Sequence, residues 1–121
     1  MGSASVAAME AAPGLEVVAH VGAGDPLDLV VENDAEVALV FTTPDVALSH
    51  VRWCVEHGVH VVVGTSGFDD AKVAQVRQVL AEAPGVGVLI VPNFSIGAVL
   101  MMRFAAIAAP FFESVEVIEM H

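Results

Sequence analysis

Positive charge is scarce in this sequence: four Lys plus Arg stand against 15 Asp plus Glu, a formal net charge of −11. Such a balance repels phosphate backbones and anionic lipid, which argues against nucleic acid and membrane as partners and favours solubility. Cysteine is scarcer still. Cys54 has no second thiol to pair with, so an internal disulfide is excluded. No charged-then-apolar leader of signal-peptide form opens the chain, and the two features together predict a reducing, cytoplasmic setting. Long apolar runs are few. The longest, residues 95 to 112 (SIGAVLMMRFAAIAAPFF), is barely of bilayer-spanning length and carries Arg103 near its middle. An arginine is costly in hydrocarbon, so a buried or interface helix is expected there. Repeats, low-complexity tracts and linkers are absent, and 121 residues with 56% hydrophobic content suit a single domain.

What is present alternates. Residues 3 to 11 are alanine-rich, with Val6 and Met9 three apart, and are closed by Pro13 and Gly14, a helical pattern. LEVVAHV, residues 15 to 21, reads as a strand that breaks at the turn formers GAGDP, residues 22 to 26. EVALVFT, residues 36 to 42, is an apolar run of strand length, of the kind covered on both faces in a parallel sheet. Thr43, Pro44 and Asp45 then predict a helix start, with Thr43 as cap; Ala47, Val51, Cys54 and Val55 share one face and Gly58 ends it. Residues 60 to 65 and 86 to 93 read as strands, residues 69 to 83 and 95 to 112 as helices, and residues 114 to 119 as a last strand. The order predicts an α/β fold with a parallel, buried sheet.

In such a sheet ligands bind beyond the carboxyl ends of the strands. Those ends read FTTPD (41 to 45), GTSGF (64 to 68), VPNFS (91 to 95) and EMH (119 to 121). Gly64 and Gly67 permit close backbone approach, while Thr65 and Ser66 offer hydroxyls and amides that could hold a phosphate, ribose or nicotinamide. The same residue types also furnish ordinary strand-to-helix loops. His57 and His60 are three apart, but a glycine separates helix end from strand and no ligand set completes a metal sphere. Cys54 sits on an apolar helix face and reads as a small core residue; Met101, Met102 and Phe104 read as packing residues.

Taken in order, FTTPD, VVVGTSGF, VPNFSIGAVLM and VEVIEMH resemble 4-hydroxy-tetrahydrodipicolinate reductase of the diaminopimelate and lysine pathway, in its actinobacterial form. The resemblance covers about the first half of the family's length. It implies that residues 1–121 are a dinucleotide-binding domain, an α/β fold with a Rossmann-like doubly wound parallel sheet, serving NADPH or NADH and acting with a cyclic dicarboxylate substrate, in a family that assembles as homotetramers. Met1 and Gly2 match the last two positions of the family's G-x-x-G-(R/K)-M-G loop and would border the pyrophosphate. Gly64, Thr65 and Ser66 would reach the nicotinamide and its ribose, and Val91, Pro92, Asn93 and Phe94 would wrap the other side. Phe41 and Thr42 fit a D-F-T element, with Val40 in place of the aspartate. Gly22 stands where such folds place the ribose-binding carboxylate, with Asp25 three residues on, so NADPH is expected to be accepted at least as well as NADH. His121 matches the first histidine of an H-H-x-x-K element and would handle a proton at the substrate cleft.

By the same resemblance the chain is expected to lack the family's first strand and its C-terminal substrate domain. It would then be an incomplete form of a longer reductase, inactive alone. Without that central strand, LEVVAHV and EVALVFT would be separated, leaving a four-stranded core from residue 36 onward with residues 1 to 22 docked loosely. The competing reading is a noncatalytic dinucleotide-binding or interaction module.

Overall fold

Valine supplies most of the sheet: its β-branched side chain is stiff and suits the pleated, buried surface of a parallel ladder. The computed structural model describes residues 1–91 and 93–118. Its elements are α1 (Gly2–Ala11), α2 (Asp28–Glu32), β1 (Val37–Val40), α3 (Pro44–Glu56), β2 (His60–Val63), α4 (Asp70–Glu82), β3 (Val88–Ile90) and α5 (Ile96–Ala108), followed by a 3-10 turn, Ala109–Phe111. The strands lie in the order β1-β2-β3. Both pairings are parallel, Val37 to Val40 beside His60 to Val63, and Val61 to Val63 beside Val88 to Ile90. The α/β class with a parallel sheet is therefore as the alternation predicts, and its Rossmann-like form is as the resemblance implies.

The core is built around β2, which has a neighbour on each side. Val61 and Val63 on β2 are fully buried together with Val51, Cys54 and Val55 of α3. Val30, Val40, Val59 and Val76 complete the cluster. The buried face of α3, Ala47, Val51, Cys54 and Val55, is the one its 3.6-residue period predicts. Burial pushes the Cys54 thiol above its ordinary pKa, since a thiolate is disfavoured in apolar surroundings, so Cys54 acts as a small apolar residue.

Helix starts follow local chemistry, with one difference. Pro44 opens α3 and Thr43 holds the cap position in an extended conformation, but the Thr43 side chain makes no capping bond. At α4 the Asp69 side chain accepts from the Lys72 amide at 2.8 Å, a capping bond of the usual kind.

Four expectations need correction. Residues 15 to 22 form no strand, and Leu15 is 59% exposed; a strand exists through its ladder bonds, and nothing among the described residues pairs with this segment. Residues 114 to 118 likewise form no strand, so the described sheet has three strands rather than four. Residue 119 lies outside the described residues. The short helix α2 was not foreseen; Asp28 in its first turn and buried Val30 are its signals. Last, α5 buries none of its residues, which excludes the buried form, though not the interface form, of the helix expected there; its contacts run to the 3-10 turn that continues it. Met101, Met102 and Phe104 are thus exposed, not packed. Among the described residues no helix is long and apolar enough to cross a membrane.

Candidate functional site

Because the strands are parallel, their carboxyl ends share one edge, and the loops that leave them converge. Three contacts bind the first two loops together. The Gly64 N–H donates to Val40 O at 2.9 Å. Thr65 then turns its side chain inward: its hydroxyl donates to Val40 O at 3.2 Å and accepts from the Thr42 N–H at 2.9 Å. Thr65 is 6% exposed and is the one buried polar residue among those described. A buried hydroxyl is stable when its bonds are made, and here they clip the end of β1 to the end of β2. The third contact is aromatic. A Cβ at Gly64 would overlap the Phe41 ring, so the missing side chain makes room for phenylalanine.

The third loop joins through Phe94, whose ring packs on Phe41 with centroids 5.3 Å apart and planes at 51°, a favourable tilted geometry. Val91 N–H donates to Val63 O at 2.9 Å, which fixes the base of this loop to β2. Asn93 folds its side chain back, with Oδ1 accepting from the Ser95 N–H at 2.8 Å. Ser95 Oγ in turn accepts from the Ala98 N–H at 3.4 Å and caps α5.

Within GTSGF the turn is made by Gly67 at φ +85°, where a Cβ would sit 3.2 Å from Pro44; that conformation is strained for any L side chain. Ser66 and Gly67 are exposed, and their amides donate to no acceptor among the described residues. Free amides and a hydroxyl beside an aromatic pair can hold an amide or phosphate oxygen, so the donor set suits a dinucleotide.

The predicted site residues therefore divide. Gly64, Thr65, Ser66, Val91, Asn93 and Phe94 gather at the carboxyl edge, with Phe41 and Thr42. Met1 holds the cap position of α1 and is 75% exposed, and a Cβ at Gly2 would meet nothing within 4 Å. Pro92 and His121 lie outside the described residues. Asp25 Oδ2 accepts from the Gly22 N–H at 2.9 Å, so a carboxylate does stand against the position where Gly22 replaces one. Two features of the site escaped the sequence: the Phe41 ring over Gly64, and Lys72, whose Nζ donates to Gly67 O at 2.9 Å and to Pro44 O at 3.3 Å.

Other candidates are engaged elsewhere. His60 Nδ1 accepts from the Gly87 N–H at 2.8 Å, while His57 stacks on Trp53 with centroids 4.0 Å apart. Among the described residues no group of three His, Cys, Asp or Glu could hold a metal ion. A groove of about 150 Å³ between α3 and α4, lined by Arg52, Glu56, Gln75, Gln78, Val79 and Glu82, lies away from the strand ends. It is smaller than small-molecule sites, which run from about 300 Å³ upward.

The pattern of loops has close counterparts. A family model described as dihydrodipicolinate reductase, N-terminus, matches residues 1–94. The 4-hydroxy-tetrahydrodipicolinate reductase of Nocardia farcinica is 56% identical over 121 residues, all of this chain and 49% of the relative. That of Streptomyces avermitilis is 52% identical over 121 residues, again all of this chain and 48% of the relative. Among solved structures, the dipicolinate-bound dihydrodipicolinate reductase of Paenisporosarcina sp. TG-14 superposes with a TM-score of 0.71 at 32% identity, covering 92% of this chain and 50% of that one. The chain thus spans about half the length of the curated relatives it matches, and it belongs to the dihydrodipicolinate reductase family.

Proposed function

We propose that residues 1–121 form a dinucleotide-binding domain that serves NAD(P)H-dependent reduction of 4-hydroxy-tetrahydrodipicolinate, a cyclic dicarboxylate, in lysine and diaminopimelate synthesis. The observation that carries this reading is the convergence of Phe41, Thr42, Gly64, Ser66, Asn93 and Phe94 on one edge of the sheet, held by the Thr65 clip. Bound there, a reduced nicotinamide supplies a hydride. The chain's own part is to hold and orient it: Ser66 and the amides of Ser66 and Gly67 offer donors, and the Phe41–Phe94 pair offers an apolar wall. By resemblance Val91 would extend that wall, Pro92 would serve beside it on the strength of the sequence alone, and Met1 and Gly2 would border the pyrophosphate.

His121 is proposed as the residue that handles a proton beside the substrate, since an imidazole titrates near neutrality. By resemblance the family's H-H-x-x-K and D-x-P-S-G-T elements would hold the substrate and complete the proton path, and these 121 residues by themselves are proposed to bind dinucleotide without turnover. Both cofactors are expected to bind, NADPH at least as well as NADH, because the Asp25 carboxylate is committed to the Gly22 amide.

Titrating the purified chain with NADPH and NADH, and following reduced-nicotinamide fluorescence, tests the reading. Saturable binding below about 1 mM supports it, a range that corresponds to roughly 4 kcal/mol of binding free energy. Absence of saturation with either cofactor sinks the dinucleotide assignment. Binding tenfold tighter to NADH overturns the preference, and NADPH oxidation upon adding the substrate overturns the inactivity.

A further inference from the structure

Lys72 is the sole lysine of the sequence, and it stands in the first turn of α4. A cation at that position opposes the helix dipole, which favours negative charge at its amino end. Asp69 and Asp70 satisfy that preference, and Lys72 contradicts it. A residue that breaks a local rule needs a compensating interaction from farther away. The compensation is visible: Nζ donates to Gly67 O at 2.9 Å and to Pro44 O at 3.3 Å, and lies 5.9 Å from the centroid of the Phe68 ring. One carbonyl belongs to the GTSGF turn and the other to the first residue of α3, so the ammonium ties that turn to the start of α3, as the Thr65 clip ties the ends of β1 and β2. Charge-assisted bonds of this kind are about twice as strong as neutral ones.

We propose that Lys72 is a positioning residue for the dinucleotide site: it fixes the carbonyl of Gly67, and thereby aims the free amides of Ser66 and Gly67. The proposal rests on the dinucleotide reading above for its binding consequence, while its effect on the loop stands independently. The Asp69 cap uses the backbone amide of Lys72, so a side-chain substitution leaves α4 capped.

The experiment compares the chain with Lys72→Met and Lys72→Arg by three readouts: amide hydrogen exchange at residues 64–68, thermal midpoint, and NADPH titration. The expected result for Lys72→Met is exchange at 64–68 faster by about fivefold or more, NADPH binding weaker by about five- to tenfold, and a thermal midpoint lower by only a few degrees. Lys72→Arg, whose guanidinium can reach both carbonyls, restores loop protection and binding to within about threefold. The binding difference persists at high salt, where a through-space attraction between Lys72 and the cofactor's phosphates would be screened. Unchanged exchange at 64–68 in Lys72→Met overturns the proposal, as does a binding difference that vanishes with salt. Should the unsubstituted chain fail to bind NADPH, the dinucleotide reading falls, and the exchange comparison still decides whether Lys72 holds the turn.

Discussion

The segment from Val30 to Val91 and the two flanks of the chain are similarly apolar, yet they end in opposite states. In the first, Val40, Val51, Val55, Val61, Val63 and Val76 are buried. In the flanks, Leu15, Ile96, Phe104, Ile107, Phe111 and Phe112 are all more than half exposed. Hydrophobic character is thus no guarantee of burial; a run is covered only where a partner element presents a matching face. The three strands and α3 supply each other with such faces. The Phe94 contact with Phe41 apart, the flanks have none among the described residues, and α1 and α5 bury nothing.

The sharpest way to break the comparison is to place a charge on each side of it. Val51→Asp puts an unpaired carboxylate among fully buried neighbours and is expected to cost more than about 4 kcal/mol, enough to unfold the chain in thermal melts. Ile107→Asp, on α5, is expected to change stability by less than about 0.5 kcal/mol and to raise solubility. A comparable loss from both substitutions would mean that α5 is covered in solution.

Next come two substitutions within the strand-end cluster. Gly64→Ala drives a methyl into the Phe41 ring and is expected to destabilise by about 1–3 kcal/mol in denaturant titrations. In a Phe41→Leu background the added cost of Gly64→Ala should fall by at least half, because the two residues share one space. Thr65→Val keeps the shape but removes the acceptor of Thr42 N–H, with an expected cost of about 1–3 kcal/mol.

The smallest effects concern the helix starts. Asp69→Ala removes a capping acceptor and is expected to cost about 1 kcal/mol. Thr43→Ala occupies the equivalent position at α3, but its hydroxyl caps nothing, so less than about 0.5 kcal/mol is expected. Equal effects at the two positions would show that the Thr43 hydroxyl does cap α3 in solution.

These contrasts mirror what could be read from sequence. The spacing of Ala47, Val51, Cys54 and Val55 spelled out the buried face of α3 because a helix repeats locally. LEVVAHV has equally good strand composition, yet its state depends on a ladder partner that no local pattern records. The apolar run of α5 was legible as a buried or interface helix, but not which of the two, since exposure depends on what packs against it. At the site, GTSGF was legible as a turn with hydroxyls. That Phe41 fills the space over Gly64, and that Thr65 faces inward, are contacts across 23 to 25 residues. Lys72 did leave a local signal, a cation where the helix dipole disfavours one.

Under the proposed function the carboxyl edge of the sheet, rather than the groove between α3 and α4, receives a dinucleotide. Amide hydrogen exchange of the 121-residue chain with and without saturating NADPH tests it most directly. Protection is expected at residues 41–42, 64–68 and 93–94, with none along Gln75 to Glu82 at the groove between α3 and α4. Protection confined to that groove, or spread evenly over the sheet without the loops, would contradict the assignment.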